Sequence, residues 1–173
     1  RILDTRFHLV ITNVPYLGRA DQCEPLRLYI ENHFPKAQGD LANVFLDRAL
    51  ELIHPSCSVQ LVMPRAWMFL PTYQDHRVDL LEHTSFRLLA VLGPRAFETI
   101  TGEVVNVCLA TFSNTPPNES TSFTGIDADK LRTPAEKARE LKAGDLLTLS
   151  QKSQLSHPGA RISLEALESK DLL

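Results

Sequence analysis

The stretch Phe7-His8-Leu9-Val10-Ile11-Thr12-Asn13-Val14-Pro15-Tyr16 decides the fold. Its first six residues form a short, nearly continuous apolar run, the pattern of a buried parallel strand rather than a half-exposed one. Asn-Val-Pro stops the run, because proline fixes φ and offers no N–H to a ladder. Further along, Asp40 precedes Leu41, Val44, Phe45, Ala49 and Leu52 at helical spacing, and aspartate is a favoured N-cap. The residues between Tyr16 and Asp40 are expected to form a long loop. His54-Pro55-Ser56 ends the helix, and Val59 to Met63 predicts a second buried strand closing at Pro64. The unit is a strand, loop, helix and strand crossover.

Downstream, Tyr73 to Glu82 is expected to be helical through Val78, Leu80 and Leu81. An apolar run from Phe86 to Leu92 follows, ended by Gly93-Pro94, and another strand is expected over Val104 to Phe112. About a dozen residues join these two runs, too few for a packed crossover helix, so they are expected to pair antiparallel at the edge of the sheet. Asn114-Thr115-Pro116-Pro117-Asn118-Glu119-Ser120 has nothing to bury and predicts a loop or linker. Thr133-Pro134-Ala135-Glu136 carries the marks of a helix start, with a capping box and proline at the first position, and Gly144 is its expected end. Asp145 to Leu173 shows no clear period. The resulting division is a catalytic half over residues 1–112, a loop or linker over 113–130, and a helix with the start of a further region, cut short, over 131–173.

With 173 residues, 43% of them hydrophobic and 23% charged, the chain has the mixture of an ordinary globular domain. A formal net charge of −3 argues against a uniformly basic coat for nucleic acid and leaves room for a local basic groove. Cys23, Cys57 and Cys108 lie far apart and form no C-x-x-C pair, which points away from a zinc knuckle or disulfide framework and towards a reducing cytoplasm. No apolar run approaches the ~20 residues of a membrane span, so no membrane partner is expected. The sequence opens at Arg1 and enters a strand almost at once, which reads as a piece of a longer chain.

Asn13-Val14-Pro15-Tyr16, placed directly after an apolar strand, resembles the Asn/Asp-Pro-Pro-Tyr/Phe signature of amino-group DNA methyltransferases. The chemistry explains the residue types. The exocyclic amine of adenine is a poor nucleophile, because its lone pair is delocalised into the ring. A site for it must accept the amine's hydrogens while a methyl donor stands in line. The Asn13 side-chain oxygen and the Val14 main-chain carbonyl are the candidate acceptors, Pro15 stiffens the turn, and Tyr16 offers an aromatic face to a base taken out of the duplex. Proline is usual where this chain has Val14; the acceptor is a backbone carbonyl and survives the change, while the turn loses rigidity. A plain strand-ending Asn-x-Pro turn is the alternative reading of these four residues alone.

Further stretches extend the resemblance: Leu9 to Gly18, Asp40-Leu41 with Phe45 and Arg48, Val62-Met63-Pro64-Arg65-Ala66-Trp67-Met68, Leu92-Gly93-Pro94-Arg95-Ala96-Phe97, and Gly102-Glu103-Val104-Val105. Ser150-Gln151-Lys152 and Pro158 to Ile162 continue it more faintly. Together they resemble the large adenine methyltransferases of bacteriophage-exclusion systems, of the phage-growth-limitation X type, and more distantly the fused type II restriction-modification enzymes. The resemblance implies a Rossmann-like S-adenosylmethionine-dependent sheet whose fourth to seventh strands are in this chain. It implies transfer of methyl to adenine N6, with double-stranded DNA and other defence-system proteins as partners. The family holds its donor in a glycine-rich turn, yet the seven glycines here never come closer than nine positions. The cofactor-binding residues are therefore expected upstream.

Trp67 and Phe97 are candidates for packing against the target base, with core packing as the alternative, and Arg65 and Arg95 are candidates for phosphate contact. His76 and His83 lack a third ligand, and no metal is expected. Glu168-Ser169-Lys170 is a poor match to a nuclease E-x-K. Two other readings are compatible with these residues: a methyltransferase acting on an RNA amine or a protein amide, and a truncated or degenerate module that only binds DNA or a partner.

Overall fold

The computed structural model describes residues 5–97 and 105–165. Their strands form one six-stranded sheet in the order β1-β2-β4-β3-β5-β6, comprising β1 (Phe7–Asn13), β2 (Ile53–Pro64), β3 (Ser85–Gly93), β4 (Val107–Ser113), β5 (Ser122–Asp127) and β6 (Leu147–Ser150). β1 and β2 are parallel, with Asn13 opposite Val62. β4 runs antiparallel to both β2 and β3, and β3 is parallel to β5. β6 closes the order antiparallel to β5. Consequently β1, β2, β3 and β5 all point the same way and bring Asn13, Pro64, Gly93 and Asp127 to one edge of the sheet.

Among the described residues the α-helices are α1 (Glu24–His33), α2 (Leu41–Glu51), α3 (Gln74–His83), α4 (Pro134–Ala143) and α5 (Gln151–Leu155). Successive strand residues point to opposite faces, and this alternation sorts the core into two. On one face Val59, Leu61 and Met63 of β2, with Leu89 and Val91 of β3, pack against Ala42, Leu46 and Ala49 of α2 and Leu80 and Leu81 of α3. On the other, Val62, Leu92, Val107 and Leu109 meet Ala128, Leu131 and Leu141, the last from α4. Both predicted caps are present. The Asp40 carboxylate accepts from Ala42 N at 2.8 Å, and Thr133 with Glu136 forms the capping box of α4.

The sequence-based expectations hold for the β1-α2-β2 crossover, for α3, for the antiparallel pairing of β3 with β4, and for α4 ending at Gly144. Four features differ. The long loop contains α1, which starts with Pro25 at a position where a missing N–H costs nothing and buries Ile30. The stretch 113–130, expected as linker, contains β5. Its one-sided apolar pattern is interrupted by Gly125, where a Cβ would come within 3.0 Å of Leu149 Cδ1 and Leu164 Cδ2. Because β5 and β6 extend the sheet past β3, the antiparallel pair lies inside the sheet rather than at its edge. β1 itself is not buried on both faces. Among the described residues it is an edge strand, and Leu9 and Ile11 are 55% and 66% exposed. Val104 and the Glu168-Ser169-Lys170 tripeptide lie outside the described residues.

Candidate active site at the carboxyl edge of the sheet

Asn13 is the last residue of β1 and its side chain is exposed at the carboxyl edge, the edge where ligands of open α/β sheets bind. Val14 turns its side chain into the core, and its N–H reaches Val62 O at 3.5 Å. Neither the Asn13 amide oxygen nor the Val14 carbonyl accepts a hydrogen bond among the described residues, so both acceptors stand free. Pro15 is exposed.

Tyr16 lies half-buried between the two core clusters. Its hydroxyl is buried without a hydrogen-bond partner among the described residues. Burial, with smaller contributions from Cys108 and Asp40, pushes the phenol up to about 12. The ring is thus a wall of the turn.

The segment after the motif is fastened to the start of α2. Leu17 N donates to Asp40 Oδ1 at 3.3 Å, Leu41 N to Leu17 O at 3.0 Å, and Gln22 Nε2 to the same carbonyl at 3.1 Å. One carboxylate oxygen of Asp40 therefore caps a helix and holds the turn that presents Asn13.

Arg65 follows β2 directly and pairs with Asp129 at 2.8 Å, its guanidinium lying over the Phe69 ring. Asp129 packs against Gly93, whose φ is +65°. A Cβ there would approach Asp129 Oδ1 to 2.0 Å, so only glycine fits. Beneath this junction the buried Lys137 ammonium donates to Leu92 O and, at 2.9 Å, to Ala128 O. Burial pulls it below the usual lysine range, against the opposing pull of Asp129, Glu136 and Asp127. Arg95, with φ +57°, and Phe97 are exposed beyond the end of β3.

Trp67 is corrected by its surroundings. It is buried in the main core, edge-on to Phe86 and tilted against Phe112, and cannot line an open pocket. His76 is also buried, with Nε2 on Asp47 Oδ1 at 2.7 Å, while His83 is exposed beside Asp79. The sequence reading missed Asp129 and Lys137. Asp127-Ala128-Asp129 after an apolar run was the available signal, since Asp129 N donates to Asp127 Oδ1 in a side-chain turn. A buried lysine on a charged helix has no signal in the sequence.

The sheet is of the kind found in class I S-adenosylmethionine-dependent methyltransferases. One such enzyme from Listeria monocytogenes superposes with a TM-score of 0.55 at 11% identity, over 80% of this chain and 42% of that one. A nuclease-deletion mutant of the Type ISP restriction-modification enzyme LlaGI, in complex with a DNA substrate mimic, gives a TM-score of 0.65 at 13% identity, over 92% of this chain and 18% of that one. Residues 2–97, more than half of the chain, match the Eco57I restriction-modification methylase family, and the chain belongs to that family. It is 36% identical over 104 residues to the adenine-specific methyltransferase BrxX of Escherichia coli O9:H4 (strain HS). It is 30% identical over 105 residues to the adenine-specific methyltransferase PglX of Lacticaseibacillus casei (strain Zhang). These matches cover 60% and 61% of this chain and 9% of each relative, so the chain spans a small part of the relatives it matches.

Proposed function

We propose that the protein carrying this chain transfers the methyl group of S-adenosylmethionine to N6 of adenine in double-stranded DNA, within a phage-defence or restriction-modification system in the cytoplasm. The observation that carries the reading is the placement of Asn13 and Val14: two unengaged acceptors, side by side at the carboxyl edge of the sheet, in a chain of this family. The two hydrogens of an exocyclic amine match these two acceptors. Hydrogen bonds to both draw the nitrogen lone pair out of conjugation with the ring and aim it away from the turn. Pro15 fixes the direction of the carbonyl, and the exposed half of Tyr16 packs against the base. Arg95 and Phe97 stand at the same edge, suited to phosphate and base contact, whereas Arg65 is held by Asp129.

S-adenosylmethionine, when bound, supplies the methyl group. The chain has no G-x-G turn, and we assign none of its residues to the donor. Other proteins of such a system, as partners, belong to the same proposal. In the full-length protein, Asn13→Ala is expected to lower turnover ~100-fold or more, because it removes an acceptor needed most in the transition state. Sequencing that detects N6-methyladenine reads the result; undiminished methylation in this variant rejects the assignment.

A further inference from the structure

A cavity of about 630 Å³ opens where β2, β3 and β5 end, bounded by Arg65 and Phe69 on one wall, Lys130 beyond β5, and Arg161 on the segment after α5. Asn13, Val14 and Tyr16 do not line it. The nearest wall, Arg65, follows β2, the neighbour of β1, while the ends of β3 and β5 lie three and four strand spacings, roughly 14 and 19 Å, from the end of β1. The cavity thus extends along the same edge away from the motif and is lined by none of its residues.

Its walls are fixed. Arg77 is fully buried and donates to the carbonyls of Trp67, Leu70, Gly159 and Ala160, tying the segment after β2 to the segment after α5. Ile162 N closes the seam on Met68 O at 2.9 Å.

The lining decides the ligand class. Among the described residues Lys130 and Arg161 have no ion-pair partner, which suits an anion. Asp127 and Glu165 also line the space and supply acceptors, one oxygen of Asp127 being spent on the Asp129 N–H. Met68, Val91, Ile162 and Leu164 form an apolar floor. A lone phosphate would leave most of this volume and floor empty, since a space of this size lies in the ~300–1,000 Å³ range of pockets for whole small molecules. A purely apolar ligand would strand the charges. We propose that this cavity binds a nucleotide unit, its phosphate on Lys130 and Arg161 and its base against Phe69 and the apolar floor, with Asp127 and Glu165 accepting from base or sugar donors. The unit is either a free mononucleotide or one nucleotide of a DNA strand. The proposal does not depend on methyl transfer.

The test measures binding to the full-length protein without methyl donor. The probes are the four 2′-deoxynucleoside 5′-monophosphates by titration calorimetry and a labelled 12-nucleotide single strand and its duplex by anisotropy. The expected result is that Lys130→Gln with Arg161→Gln weakens at least one probe ~10-fold or more, as loss of charged hydrogen bonds requires. Lys152→Gln, which removes an exposed charge paired with Glu119, is expected to change binding less than about twofold. A loss seen with the monophosphates assigns the site to a free nucleotide, and a loss confined to the strands assigns it to DNA. For the affected mononucleotide the parent's preference over the matching 2′-deoxynucleoside is expected to vanish in the double variant. Phe69→Ala is expected to weaken the same probe while sparing that preference. Absence of binding by all probes, unchanged affinity in the double variant, or an equal loss in Lys152→Gln overturns the site. If adenine methylation fails while these shifts persist, the reaction falls and the cavity assignment stands.

Discussion

Asp40 shows how a single side chain links the fold to the site. Its carboxylate caps α2 and receives Leu17 N, so the turn carrying Asn13 is held by the helix that follows it. Asp40→Ala is expected to destabilise the chain by about 1–2 kcal/mol, the usual worth of a lost N-cap, and to lower turnover of the full-length protein as the turn loosens. Asp40→Asn keeps an oxygen in place and is expected to retain most of both, which urea unfolding and methylation rates check. At Val14 the acceptor is the backbone carbonyl, so Val14→Pro is expected to preserve activity while giving up the long 3.5 Å bond from the Val14 N–H to Val62 O; complete inactivation would show that this turn differs from the family's. Cys108 supplies a pH-linked check. Burial, opposed by Trp67 and Arg65, pushes its thiol up to about 12, whereas Cys23 is exposed. The folded state holds the Cys108 proton more tightly than the unfolded state does. Its contribution to stability is therefore whole below the ordinary thiol pKa and is lost as pH rises towards 12. At pH 8 an alkylating reagent is expected to label Cys23 in the native chain and Cys108 only after unfolding, as peptide mass spectrometry will show.

Between elements, long-range polar ties govern what the sequence could not display. The β1-α2-β2 unit was legible because its signals are local: an apolar run, an aspartate cap at 40, a proline stop at 64. The position of Asn13 at the end of the first strand was legible for the same reason. β5 was not, since Gly125 weakens its pattern and its partner β3 lies some thirty residues away. α1 was hidden because one buried residue, Ile30, gives a helix little periodicity to read. Trp67, a pocket candidate after the second strand with core packing as the alternative, proved to be core, because Phe86 and Phe112 come from strands distant in sequence. Gln151 and the Pro158 to Ile162 stretch, faint in sequence, serve packing. Gln151 bonds Leu81 O, Thr84 O and Phe86 N, and the 159–160 carbonyls hold Arg77. Arg77→Met leaves four carbonyls without their donor and is expected to cost several kcal/mol, about 3–5, by analogy with other broken buried charge networks. Trp67 is the chain's one tryptophan and is buried, so its emission shifting red at lower denaturant in this variant gives the measurement.

At the scale of the whole molecule, the sheet is finished unevenly. The faces of β2, β3 and β4 are covered, and α4 closes the second face near β3 and β5. β1 pairs on one side only among the described residues, and on that second face it presents Leu9 and Ile11 to solvent. An unpaired edge beside exposed apolar side chains is the combination that invites association, both by strand addition and by burial of the face. The chain's net charge of −3 gives only modest repulsion against it. The isolated 173-residue chain is therefore expected to self-associate in a concentration-dependent way, and the cause is local enough to remove. Ile11 lies on the exposed face, so a lysine there loses almost no packing, and charge on an edge strand opposes pairing with a second edge. Ile11→Lys should leave the urea midpoint of the chain nearly unchanged, within about 0.5 kcal/mol for a surface site, while shifting its mass by light scattering towards that of a monomer. Association that persists in this variant would place the sticky surface elsewhere, with the exposed Leu28, Tyr29 and Phe45 of α1 and α2 as the next surface to charge.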